Sequence, residues 1–139
     1  MIEEQLQEIV QVFESIRQML PDSILVASNI IADAYKRGNK VLLCGNGGSA
    51  ADAQHIAAEL LGRFYKDRAP LPAIALHANS SYMTAVANDY GYEEVFSRAV
   101  KSFGRPGDVL IAISTSGNSD NVIQAVKVAK DIGMRTIAL

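Results

Sequence analysis

Two stretches of this chain combine glycine with small hydrogen-bonding side chains where an apolar run gives way to a helical pattern. One is Gly45-Asn46-Gly47-Gly48-Ser49, directly after Val41-Leu42-Leu43-Cys44. The other is Ser114-Thr115-Ser116-Gly117-Asn118-Ser119, directly after the apolar residues 109–113. Glycine lets backbone N–H groups come close to an anion, and the positive end of the following helix dipole favours negative charge there. The hydroxyls and amides of the second stretch add donors without adding charge. Two such loops on successive strand–helix units point to a site for a phosphorylated sugar.

The helix expected after the first loop carries the sharpest set of side chains. Ala53, Ile56, Ala57, Leu60 and Phe64 share one face at about 100° per residue, while Asp52, His55 and Glu59 fall on another. His55 and Glu59 are four apart and therefore neighbours, on a face that starts beside the Gly-Gly-Ser turn, so the pair is expected to look into the gap between the two loops. An imidazole and a carboxylate so placed can bind zinc together, although two donors do not complete a site. The same pair also reads as a solvated face with a weak ion pair. Asn88-Asp89 reads either as the polar close of a helix or as a set of groups for sugar hydroxyls. Arg63 and Arg68 could contact phosphate, or could simply favour a helix C-terminus. His77 follows a strand and could approach the site, or could be a loop residue without a role. No Walker lysine follows the glycines, which disfavours phosphoryl transfer from a nucleotide. The third spaced glycine and the acidic strand end of a dinucleotide site are missing as well.

Stepping along the chain, Ile2, Leu6, Ile9, Phe13, Ile16 and Leu20 recur at gaps of four and three, a helical seam that Pro21 breaks. Asp22 or Ser23 is expected to cap a second helix that Gly38 stops. These N-terminal helices, residues 1–37, either pack on the domain or form an oligomer seam. Residues 40–139 then alternate strand and helix. Strands are expected at 41–44, 73–76, 109–113 and from 136, and helices at 49–61, 80–88, 95–103 and 120–132. Ser49 is the expected cap of its helix, with Asp52 three residues on. Apolar strands alternating with amphipathic helices predict a single α/β domain, a doubly wound parallel sheet covered on both faces. Both polar loops would then lie outside the carboxyl ends of the strands, where such sheets bind ligands.

Composition narrows the function further. The chain has 139 residues and is 49% hydrophobic but only 6% aromatic, without Trp, which favours small-residue helix packing over a thick aromatic core. A net charge of −2 with no basic cluster argues against nucleic acid as a partner. No apolar run reaches the ~20 residues of a membrane helix. The acidic start Met1-Ile2-Glu3-Glu4 lacks the basic region of a secretion signal. Cys44 is the sole cysteine and, at the end of an apolar strand, is expected to be a buried thiol in a reducing cytoplasm.

The run from Cys44 to Ser49, then Asp52 and His55-Ile56-Ala57-Ala58-Glu59-Leu60, resembles the phosphoheptose isomerases of the sugar isomerase (SIS) family. So do Pro72-Ala73-Ile74-Ala75-Leu76, Ala87-Asn88-Asp89, Gly107-Asp108-Val109-Leu110 and Ile113 to Ser119, so that the likeness spans nearly the whole chain. The resemblance implies a cytoplasmic homotetramer that converts sedoheptulose 7-phosphate to D-glycero-D-manno-heptose 7-phosphate, an early step toward the heptose of lipopolysaccharide. It implies that Ser114, Thr115, Ser116 and Ser119 hold the phosphate, and that Asn46, Gly47 and Gly48 with Asn88 and Asp89 position the sugar. Glu59 would be the catalytic base, contacting substrate, and His55 with Glu59 would supply two ligands to Zn²⁺. In the family a further strand and helix carry a glutamine and a histidine that complete the metal site and the acid–base pair. The resemblance therefore implies that the 139 residues are a truncated form with little or no turnover of their own. A second member type, non-catalytic regulators that bind the bacterial replication initiator ATPase, shares the fold. Glu59 and the full Ser-Thr-Ser-Gly-Asn-Ser run favour the enzyme.

Overall fold

The apolar runs become the strands of one parallel sheet. In the computed structural model, which describes residues 1–139, β1 (Val41–Gly45), β2 (Ala73–Ala75), β3 (Val109–Ile113) and β4 (Arg135–Ala138) lie in the order β2-β1-β3-β4. Every pairing is parallel, with Val41 opposite both Ala73 and Val109, and Val109 opposite Arg135. Alternation along the strands sends Leu42, Cys44, Leu110 and Ala112 into one core and Val41, Leu43, Val109 and Ile111 into a second. Helices α2 (Pro21–Lys36) and α3 (Gly48–Leu61) close the second core through Ala34, Ala53 and Ala57. Helices α4 (Ser80–Tyr90), α5 (Val95–Phe103) and α6 (Asp120–Asp131) close the first through Val86, Phe96, Val100 and Ala125. Both faces are covered, which is why β1 and β3 read as continuous apolar runs.

Small residues set how closely the helices approach. Ala53 and Ala57, one turn apart, are the buried face of α3 against β1. At Gly45 there is no room for a side chain: a Cβ there would stand 2.8 Å from both Ser49 Cβ and the Ser49 carbonyl oxygen. Glycine is required at the end of β1 for α3 to begin where it does.

Three local expectations are corrected. Pro21 is the first helical residue of α2 rather than a breaker ahead of an Asp22 or Ser23 cap, and Leu20 alone joins it to α1 (Ile2–Met19). Proline suits that position because the first N–H of a helix has no internal partner. Ser49 does not cap α3. Gly47, at φ 56°, is the capping residue, Ser49 is buried inside the first turn, and Asp52 is exposed with no capping bond. Finally, α4 runs past Asn88 to Tyr90, where Gly91 ends it at φ 93°, and a 3₁₀ turn (Tyr92–Glu94) links it to α5.

At the amino ends of the strands Asp108 ties β1 to β3. Its buried carboxylate accepts from Asn39 Nδ2 (3.2 Å), the Lys40 N–H (3.0 Å), the Lys40 ammonium and the Arg105 N–H (2.9 Å). α1 has no buried residue, and Ile2, Leu6, Ile9 and Phe13 face solvent in the single chain.

Candidate functional site

From β1 the chain crosses through α3 to β2 on one side, whereas β3 lies on the other side of β1 and leads through α6 to β4. The strand order therefore reverses between β1 and β3, and the two crossovers pack on opposite faces. A crevice opens outside the carboxyl ends of the strands at such a point, and it is where α/β sheets hold ligands. Gly45, the last residue of β1, pairs with Ile113, the last residue of β3, so the two polar loops leave the sheet side by side. The first is tied to the first turn of α6, the helix that the second opens. Asn46 Nδ2 donates to Asn121 Oδ1 (2.9 Å) and Asn121 Nδ2 donates to Asn46 Oδ1 (3.0 Å). The Tyr92 hydroxyl donates to Asn46 Oδ1 at 3.2 Å, which brings the end of the α4 segment to the same rim.

The second loop gathers its hydroxyls. Ser114 Oγ lies 3.1 Å from Ser119 Oγ and 3.5 Å from Ser116 Oγ, which itself accepts from the Asn118 N–H at 3.2 Å. Ser119 is the N-cap of α6 by position, yet its hydroxyl makes no capping bond, being turned toward Ser114 instead. The hydroxyl cluster thus sits over a helix start, where the first N–H groups have no helical acceptor. Thr115, Ser116 and Gly117 are exposed, and Gly117 takes φ 66° in the turn. An anion at this position would meet donors from side chains and backbone together. In the first loop Gly47 and Gly48 are exposed, with space where a Cβ would stand.

His55 and Glu59 lie together on the outer side of α3, with His55 Nε2 3.8 Å from Glu59 Oε1. The His55 side chain is 74% exposed and that of Glu59 is 34% exposed. At 1.5 Å rise per residue they stand roughly 10 and 16 Å along the helix from Gly48. Within one chain the pair is thus adjacent to itself but open to solvent, and nothing in the chain holds it against the hydroxyl cluster. No group of three or more His, Cys, Asp or Glu residues converges in the chain. Asn88 Nδ2 donates to Asp89 Oδ1 (2.9 Å) on the exposed last turn of α4, shortly before Tyr92.

The remaining candidates resolve on their contacts. Arg68 donates to the carbonyls of Glu59 and Leu60 (2.9 Å each) and Ala69 (3.0 Å), so it satisfies the C-terminal carbonyls of α3 and is not turned to the loops. Arg63 is exposed. His77 Nδ1 is buried with no hydrogen-bond partner, and burial lowers the pKa of this imidazole. Cys44 is fully buried and its pKa is pushed up to about 12 by burial, an inert structural thiol as expected.

Asn121 and Tyr92 are site residues that the sequence did not single out. A signal for Asn121 exists: it falls four and eight residues before Ala125 and Ala129, on the face of α6 that is buried. A polar residue in an apolar stripe needs a partner. That partner, Asn46, is 75 positions away.

A glycine loop and a hydroxyl-rich loop thus flank the reversal point of a doubly wound parallel sheet. The family model described as the SIS domain matches residues 5–139, and the chain belongs to that family. Within it the chain is similar to phosphoheptose isomerases. It is 60% identical over 121 residues to the phosphoheptose isomerase of Aquifex aeolicus, an alignment covering 87% of this chain and 63% of that protein. It is 51% identical over 138 residues to that of Synechocystis sp., covering 99% of this chain and 70% of the relative. The solved phosphoheptose isomerase GmhA of Neisseria gonorrhoeae superposes with a TM-score of 0.91 at 43% identity, over 99% of this chain and 71% of that one. The Francisella tularensis phosphoheptose isomerase gives 0.92 at 38% identity with the same coverage. The chain spans about 63% of the length of the Aquifex relative. No helix is long and apolar enough to cross a membrane.

Proposed function

We propose that this chain is the sugar-phosphate-binding part of an aldose–ketose isomerase that converts sedoheptulose 7-phosphate to D-glycero-D-manno-heptose 7-phosphate in the cytoplasm. The observation that carries the reading is the bonding of the glycine loop, through Asn46, to Asn121 in the first turn of the helix that the hydroxyl loop opens, at the β1/β3 reversal. Ser114, Thr115, Ser116 and Ser119 hold the phosphate at the start of α6. Asn46, Gly47 and Gly48, with Asn88 and Asp89, position the sugar chain. The likeness to enzymes named phosphoheptose isomerase supports the substrate class.

The reaction moves a carbonyl between C1 and C2. A base takes the proton from C1 of the ketose, the enediol forms, and a proton returns at C2. Glu59 is the base in this proposal, since one carboxylate can remove and return the proton. Phosphate anchoring holds the reacting carbons in place, a class of effect worth up to about 7–11 kcal/mol. His55 and Glu59 fit two corners of a zinc site: with bonds of about 2.0–2.1 Å, neighbouring tetrahedral donors stand about 3.3 Å apart, close to the 3.8 Å found. Zinc bound there would polarise a substrate oxygen. The further ligands and the acid partner are not among the converging residues of this chain, so we assign the 139 residues alone little or no turnover.

The exposure of His55 and the bare apolar face of α1 support a site completed in a homo-oligomer, a tetramer by family likeness. Residues 1–37 form its seam in this proposal, and residues 40–139 form the binding core. The test is Glu59→Gln in a form extended to the relatives' length. It should bind sedoheptulose 7-phosphate as the parent does and lose at least about 100-fold in turnover. Retained turnover would remove Glu59 from its role.

A further inference from the structure

Asn121 is 4% exposed, one of few buried polar side chains, and its carboxamide has three partners. Its Oδ1 accepts from the Val122 N–H of its own helix (2.9 Å) as well as from Asn46 Nδ2. That backbone N–H, shared with the Ser119 carbonyl (3.0 Å), favours this way round of the carboxamide, because a flipped group would set its NH₂ against another donor. Once Asn121 is fixed, Asn46 is fixed too: its nitrogen must face Asn121 Oδ1 and its oxygen Asn121 Nδ2. Tyr92 O–H then takes the second lone-pair site of Asn46 Oδ1. Both acceptor positions of Asn46 are filled, and one of its N–H groups has no partner in the chain.

We infer that Asn121 is a positioning residue that, through the backbone N–H of Val122, orients Asn46 as a pure hydrogen-bond donor toward a sugar oxygen and ties the glycine loop to the first turn of α6. The inference rests on the phosphosugar reading of the site, but it concerns the sugar end and not the phosphate end. Without Asn121 the Asn46 amide could rotate, and half its orientations would turn an acceptor to the ligand. The hydroxyls of Ser114, Ser116 and Ser119 at the phosphate end make no bond to Asn121 and should keep their arrangement without it.

The test is calorimetric titration of the chain with sedoheptulose 7-phosphate and, separately, with inorganic phosphate. Asn121→Ala should bind the sugar phosphate about tenfold more weakly and inorganic phosphate within twofold of the parent. Asn46→Ala should behave the same way, and the double variant should be no weaker than either single one. Tyr92→Phe alters an exposed side chain and so keeps the fold. It should lose about threefold for the sugar phosphate only, and should add nothing to Asn46→Ala. Multiplicative losses in the double variants, or a parallel fall in inorganic phosphate affinity, would overturn the inference alone. So would an Asn121→Ala variant with parental affinity for both. A parent that prefers the sugar phosphate no more than inorganic phosphate would overturn the function proposed above, and the inference with it.

Discussion

Replacing Asp108 with alanine should cost about 4 kcal/mol of stability while leaving the polar rim as it is. The carboxylate is 2% exposed and sits at the amino ends of β1 and β3, the opposite end of the strands from the two loops. Its removal leaves the Lys40 and Arg105 N–H groups without their acceptor, each worth about 1–3 kcal/mol when buried. It also strands the Lys40 ammonium, whose side chain is only 23% exposed; breaking such a pair from one side typically costs about 3–5 kcal/mol, and losses that share one carboxylate overlap instead of adding. An unfolding entropy of about 2.1 cal/mol/K per residue then converts 4 kcal/mol into a fall in Tm of about 14 °C for 139 residues. Thermal unfolding followed by circular dichroism measures it directly. Acid titration gives a second readout. Burial by itself raises the Asp108 pKa, but bonds from Lys40, Asn39 and Arg105 outweigh it and hold the folded pKa below the ordinary value. The unfolded chain therefore takes up this proton first as pH falls. The stabilisation is complete above the unfolded value of about 3.9 and is lost between there and the lower folded one. Asp108→Ala should lack that part of the acid loss. A Tm within about 3 °C of the parent, with an unchanged acid limb, would refute the reasoning.

Other substitutions test other links. Ser116→Ala should weaken sedoheptulose 7-phosphate and inorganic phosphate together by about tenfold in calorimetry, since it removes a donor to a charged oxygen. Gly45→Ala places a methyl 2.8 Å from Ser49 and should cost about 1–3 kcal/mol in a denaturant melt. Phe13→Glu puts a charge on the bare seam of α1, where Phe13 is 66% exposed, and should weaken self-association at least about tenfold by sedimentation with the circular dichroism spectrum unchanged.

Much of the scaffold could be read in advance because its signals are local. The apolar residues 41–44 and 109–113 could be buried parallel strands only if helices covered both faces, and the intervening amphipathic patterns supplied those helices. The glycine and hydroxyl loops were legible for the same reason, each lying where a strand passes to a helix. Cap chemistry was less so. Ser49 has the residue type of an N-cap, but the close packing required at Gly45 draws the helix start back to Gly47 and buries Ser49 in the first turn. The Asn46–Asn121 pairing was invisible because no local pattern links residues that distant, and only the strand order brings them together. His55 and Glu59 were expected to look into the gap between the loops, whereas within one chain they lie open to solvent on α3, since helical spacing fixes their mutual distance but not what faces them.

The account depends most on where the phosphate sits, and a crystal structure of the chain grown with sedoheptulose 7-phosphate measures that. It should show phosphate density against the hydroxyls of Ser114, Ser116 and Ser119 at the start of α6, with Asn46 reaching a sugar oxygen. Density for the ligand at any other end or face of the sheet would contradict the account.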